Sequence, residues 1–263
     1  MAVTDDERNR TLSGAACITE TRVMATIWMP LPDTDFDVTE VAVPWKLLTR
    51  AGHRVVFTTE HGGKTPAADP LLLTGVLFGQ LGAEPEPKAF YAELIASPEF
   101  RAPKSWSDVD VSAFDGLVLP GGHAPGMRQY LGSEALQQKV RAFFESGKPV
   151  GAICHGPLVA ARAGALVGRK TTCLPAYMER TAFFLTAWRR GRYYRTYPAY
   201  VEAEIRAALG PKGEFIRGPT ELTKRGTDQD DGPTFVVEDG NYVSARWPGD
   251  AYAFARAFMR KLA

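Results

Sequence analysis

Short β-rich runs alternate along the chain with stretches whose apolar residues recur every three to four positions, the pattern of an α/β fold on a mainly parallel sheet. A doubly wound sheet flanked by helices is the expected architecture. Arg22 to Met29 reads as the opening strand, broken by Pro30, Pro32 and Asp33. Val38 to Ala51 follows with helical spacing, and Gly52 supplies its stop. His53 to Thr58 reads as a second strand. Over 61–106 the periodicity weakens and prolines stand at 66, 70, 85, 87, 98 and 103, so an irregular insert with one or two short helices is expected.

Order returns at Asp115 to Leu119, a buried-strand pattern that runs into Pro120-Gly121-Gly122. Ser133 to Ser146 is amphipathic at helical spacing, with Ser133 placed to cap it and Gly147 to end it. Pro149 to Ile153 is apolar throughout, as a central parallel strand should be. It leads to Cys154-His155-Gly156-Pro157 and an alanine-rich helix ending near Gly164. Beyond it come a short strand near Lys170 to Cys173, a helical region from Ala176 to Leu209, β-like runs at Thr234 to Val237 and Tyr242 to Ala245, and a helix over Ala251 to Lys261. No repeat or linker interrupts this course. The expected organisation is an N-terminal extension over 1–20 and one domain over 21–263, with a lid-like insert over 176–210.

Composition narrows the function classes. With 263 residues, 45% of them apolar, the chain can build a sizeable core. Lys and Arg number 31 against 30 for Asp and Glu, so no strong field points to nucleic acid or a membrane, and a small-molecule partner is expected. The first twenty residues carry Asp5, Asp6, Glu7, Arg8 and Arg10 with no apolar core, unlike a signal peptide. The longest uncharged apolar run, Leu71 to Ala83, falls short of the roughly 20 residues that span a bilayer. A cytoplasmic home is therefore expected, where the sequon Asn9-Arg10-Thr11 has no consequence.

Cys17, Cys154 and Cys173 are too few and too far apart for a disulfide scaffold or a zinc cluster, so at least one is free. His53 and His61 lack a ligand pattern, HExxH is absent, and no P-loop or GxGxxG follows a strand, so neither metal nor cofactor is expected.

Ala152-Ile153-Cys154-His155-Gly156, between a buried strand and a helix, fits a nucleophile elbow, in which a tight turn thrusts one side chain out at the carboxyl edge of the sheet. The positive end of the following helix should lower the thiol pKa. A buried, inert core cysteine is the competing reading. Gly121 and Gly122, at another strand end, offer unhindered amides that could join that of His155 in an oxyanion hole. His123 either lines the pocket mouth or is a loop residue with no role. Glu40, just beyond the first strand, is either a general acid and base for the thiol or a residue favoured at a helix start by the dipole.

These segments resemble the ThiJ/PfpI superfamily, which has a class I glutamine amidotransferase-like fold and includes the parkinsonism-associated deglycase. The resemblance is carried by Glu40-Val41-Ala42-Val43-Pro44, Ala51-Gly52-His53, Leu119-Pro120-Gly121-Gly122-His123 and Ala152-Ile153-Cys154-His155-Gly156-Pro157. The branch with the greatest similarity includes heat-shock chaperones that act as glutathione-independent glyoxalases. The resemblance implies that Cys154 is the nucleophile and Glu40 its proton partner, with Glu179 standing where that branch places a third acid. It also implies homodimers. His155 is either the base of a Cys-His pair or, since adjacent residues at a sharp turn point different ways, faces away from the sulfur while its amide works. Trp188 to Tyr197 concentrates Arg and Tyr and reads as a solvated helix face or a pocket lid more readily than as a nucleic-acid surface. The activities in view are a glyoxalase or isonitrile hydratase, a Cys-His amidase or peptidase, and a non-enzymatic redox sensor or chaperone.

Overall fold

A computed structural model of the chain describes residues 24–221 and 223–263. Cys17, the sequon, the 1–20 extension and the first residues of the expected opening strand lie outside them. The chain runs β1 (Thr26–Pro30), β2 (Thr34–Phe36), α1 (Val38–Arg50), β3 (Arg54–Thr59), β4 (Ala67–Ala68), α2 (Pro70–Thr74), α3 (Pro85–Leu94), α4 (Pro98–Arg101), β5 (Lys104–Ser105), β6 (Gly116–Leu119), α5 (Met127–Gly132) and α6 (Glu134–Glu145). It continues with β7 (Val150–Ile153), α7 (Gly156–Arg162), β8 (Lys170–Thr171), α8 (Ala176–Arg190), α9 (Val201–Ala208), β9 (Glu214–Phe215), β10 (Val236–Asp239), β11 (Tyr242–Ala245) and α10 (Ala251–Lys261).

Seven strands form the central sheet in the order β10-β11-β7-β6-β1-β3-β5, parallel throughout except for the β10–β11 hairpin. Helices flank it, with α1 packed against α10 and α6 against α7. Every residue of β6 and β7 is buried, which explains why both are apolar runs without alternation. Trp28 of β1 lies fully buried beside Phe114 and Phe143. Because β1, β6 and β7 are parallel neighbours, the turns after them open on the same edge of the sheet, where ligands of doubly wound folds collect.

Over 61–106 the chain is more regular than its composition implies. It holds three helices, and β5 adds an edge strand to the main sheet. Pro70, Pro85 and Pro98 each stand at the first position of a helix, where a missing N–H costs nothing, so prolines that read as breakers act as starters. The expected helical region over Ala176 to Leu209 divides into α8 and α9 at Gly191, whose φ of 56° ends the first helix. The short strand at Lys170 pairs with β9, outside the main sheet.

Candidate active site

Cys154 follows β7 with a φ of 60°, a left-handed conformation that costs a non-glycine residue about 1–2 kcal/mol. Its neighbours hold it there. The Cys154 N–H donates to the Ala245 carbonyl at 3.0 Å, and its own carbonyl accepts from the Leu174 N–H at 3.1 Å. The turn also needs a small residue two positions on: a Cβ on Gly156 would lie 2.0 Å from the Leu119 oxygen.

Glu40 reaches this turn from α1. The Asp37 side chain caps that helix, accepting from the Thr39 and Glu40 amides at 2.8 and 3.1 Å. In a capping box the glutamate three residues on would return to the amide of the cap residue. Here that amide donates instead to the Gly121 carbonyl at 2.9 Å, and Glu40 Oε2 accepts from the Gly121 N–H at 2.8 Å. Gly121 is thus gripped on both sides, and the Glu40 carboxyl is turned toward the elbow. Pro44 removes the helical donor that would otherwise bond the Glu40 carbonyl, one turn earlier.

This clasp corrects one expectation. The Gly121 amide is committed to Glu40, so it is not a free oxyanion donor. The amides of Gly122 and His155 carry no hydrogen bond to a described residue and remain available for that role.

Burial dominates the proton chemistry. It pushes the Glu40 carboxyl well above the ordinary range, reinforced by the negative charge of Asp37, while the Cys154 thiol, the Gly121 amide and Arg225 pull the other way. Glu40 Oε1 is buried with no hydrogen-bond partner. The Cys154 thiol is likewise pushed up, by burial first and then by the charges of Glu40 and Asp37. The expected lowering by the helix dipole is therefore overturned: α7 has only seven residues, and two nearby carboxylates oppose it.

His155 also departs from one of its two readings. Its imidazole does not face away: Nδ1 lies 3.4 Å from the Cys154 sulfur. Burial, with the charge of Arg162, lowers its pKa to about 3, so the ring next to the thiol is neutral. His123 stacks on Tyr194 at 4.2 Å between centroids and meets Tyr193 edge-on at 4.6 Å. It lines a cavity of about 290 Å³ that also reaches Cys154, Asp37, Glu179 and Arg225.

Glu179, in the first turn of α8, lies on that cavity but makes no bond to His155. Its Oε2 accepts from the Val201 N–H at 3.2 Å, and Oε1 lies 3.9 Å from Arg195 Nε. The geometry does not give it the place of a triad acid. Burial raises its pKa to about 7. A carboxyl that holds its proton more tightly folded than unfolded makes the folded state less stable as pH rises from the unfolded value through about 7. Glu179→Gln removes that dependence, so the variant is expected to gain roughly 2–3 kcal/mol relative to the parent between about pH 5 and about pH 8. Denaturant unfolding of both proteins at several pH values checks this, and parallel pH dependences would contradict it.

Asp37 is the site residue that sequence reading passed over. Its signal was present as Asp37-Val38-Thr39-Glu40, the spacing of a helix cap and its third residue. Burial lifts its pKa to about 6, so a second carboxyl of raised proton affinity stands beside Glu40. Cys173 is buried and makes only a weak contact with the Leu174 carbonyl. Among the described residues no group of three His, Cys, Asp or Glu side chains is arranged to hold a metal ion, and no helix is long and apolar enough to cross a membrane.

Relatives share this frame. An uncharacterised protein of Schizosaccharomyces pombe is 29% identical over 243 residues, 89% of this chain and 82% of that one. Deglycase PfpI of Pyrococcus furiosus is 33% identical over 158 residues, covering 60% of this chain and 68% of the relative. Glyoxalase III of Candida albicans shares the fold, with a TM-score of 0.65 at 19% identity over 90% of this chain and 97% of that structure. Residues 31–219, which contain the clasp, the elbow and the first turn of α8, match the ThiJ/PfpI family-like family, and the chain belongs to it.

Proposed function

We propose that the protein is a cysteine-dependent enzyme of the glyoxalase type, whose Cys154 sulfur adds to an electrophilic carbon and converts an α-oxoaldehyde to a hydroxy acid without glutathione. The observation that carries this reading is the buried pair at the elbow: a strained, cavity-facing thiol beside a carboxyl that has one unpartnered oxygen and a raised proton affinity. The activities named for deglycase PfpI and glyoxalase III support the same chemistry.

In the proposed sequence the sulfur bonds to the aldehyde carbon, and the thiol proton ends on the former carbonyl oxygen, giving a hemithioacetal. Glu40, as carboxylate, takes the proton on that carbon and returns it to the neighbouring ketone carbon, while the hydroxyl proton passes to the former ketone oxygen, leaving the thioester of a hydroxy acid. Water then cleaves the thioester to release the acid and the thiol. One carbon is oxidised and its neighbour reduced, so the reaction needs no external redox partner. The amides of Gly122 and His155 stabilise the oxyanions at addition and cleavage. An isonitrile would be hydrated through the same thiol addition.

A second reading, amide hydrolysis by a Cys-His pair, draws on the 3.4 Å approach of His155 to the sulfur. Its weakness is the lowered imidazole pKa, which makes a poor base. Incubation with methylglyoxal and no thiol cofactor is expected to give lactate catalytically. Failure there, with an acyl adduct on Cys154 from an amide substrate that His155→Ala abolishes, would establish the hydrolytic reading instead.

A further inference from the structure

Two segments beyond the central sheet, the loop after α2 and the helix α8, supply much of the wall around the elbow cavity. Leu72, Leu174, Met178, Ala182, Leu185 and Trp247 give it a largely apolar lining. At about 30 Å³ per water, 290 Å³ corresponds to roughly ten waters, and a three-carbon α-oxoaldehyde would fill about a third of it.

The apolar surface continues past the mouth. Leu81 and Leu185 are 44% and 56% exposed at the rim, and Phe78 and Trp188 beyond them are 73% and 70% exposed. The rings of Phe78 and Trp188 lie 6.3 Å apart and join the loop to α8. The Arg189 guanidinium sits 4.5 Å over Phe78, and Arg190 Nε donates to the Val76 carbonyl at 2.7 Å, so loop and helix are held together across the opening. A contiguous apolar patch of this kind, leading into a cavity with a few polar groups at its base, is the form of a site for an apolar ligand.

We propose that the substrate is an α-oxoaldehyde whose ketone carbon carries a bulky apolar group, aryl or branched alkyl, seated between α8 and the loop after α2. The proposal rests on the thiol-addition chemistry above and adds the substrate class. The aldehyde carbon meets Cys154 while the apolar group lies against Leu72, Met178, Ala182 and Leu185. An aryl substrate takes up one water and leaves as the aryl hydroxy acid, with the same internal transfer of oxidation state.

The test compares phenylglyoxal with methylglyoxal. The parent protein is expected to show kcat/KM at least about tenfold higher for phenylglyoxal. Ala182→Phe, which fills the cavity, should lower that ratio by about tenfold, and Leu185→Gln, at an exposed position, provides a second variant if the first folds poorly. Methylglyoxal turnover with a ratio near one that neither variant changes would overturn the substrate class while leaving the chemistry standing. Turnover of neither aldehyde would instead count against the chemistry. Binding to Cys154→Ala then decides the substrate class alone: calorimetry should show acetophenone binding at least about tenfold tighter than acetone, and equal binding would overturn the proposal.

Discussion

Cys154→Ala is expected to lower kcat/KM toward an α-oxoaldehyde by at least about 10³-fold while leaving the fold intact. The loss is large because no other described group can take over the covalent step. Cys173 is buried and is not on the cavity, and the carboxyls and neutral imidazole nearby move protons without making a carbon–sulfur bond. The fold should survive because what holds the turn is backbone: the bonds to Ala245 and Leu174 do not involve the sulfur. Alanine keeps the strain of the positive φ and loses only a small buried atom, so unfolding should shift by no more than about 1–2 kcal/mol. Product analysis with denaturant unfolding checks both parts. Residual turnover above about a tenth of the parent would remove Cys154 from the mechanism.

Glu40→Gln is expected to reduce kcat by about 10²–10⁴-fold and to change the pH profile. In the parent, low pH leaves the Glu40 carboxyl protonated and unable to accept the substrate proton. Because burial and Asp37 raise its pKa, the rate should climb with pH as the carboxyl ionises, at a pH well above the ordinary carboxylate range. Glutamine keeps the shape and can still bond the Gly121 amide through its oxygen, but it cannot titrate, so that limb disappears. The thiol should respond in the opposite sense. The Glu40 charge is one of the causes that raise the Cys154 pKa, so its removal should make the sulfur easier to ionise and faster to alkylate with iodoacetamide at fixed pH. Slower catalysis together with faster alkylation separates a proton-transfer role from simple damage to the site. Slower alkylation, or an unchanged pH limb, would contradict it.

Much of the frame was legible in the chain. The unbroken apolar runs of β6 and β7 announce central parallel strands, and Ser133 caps α6 as its type suggests, accepting from the Leu136 amide at 3.2 Å. The elbow was legible because its glycine is enforced by backbone contact. What stayed hidden depends on partners far apart in sequence. The role of Asp37 emerges only when Gly121, more than eighty residues on, takes the cap amide and redirects Glu40. The thiol pKa was misjudged because a local rule about helix ends knows nothing of burial or of carboxylates arriving from another helix. The prolines of 61–106 were ambiguous for a different reason: the residue that stops one element also starts the next.

The buried, protonated state of the Cys154 thiol bears on how long such an enzyme survives in use. The side chain is 4% exposed and surrounded by groups that disfavour its anion, whereas peroxides and adventitious alkylating agents react with exposed thiolates. A sensor needs the opposite, a sulfur kept ionised and open to oxidant. Under the proposed chemistry, reactivity is conditional on occupancy: an electrophile that enters the cavity excludes water and gives the departing proton somewhere to go. The same burial that keeps the Cys154 thiol protonated would then protect the proposed nucleophile against inactivation between turnovers.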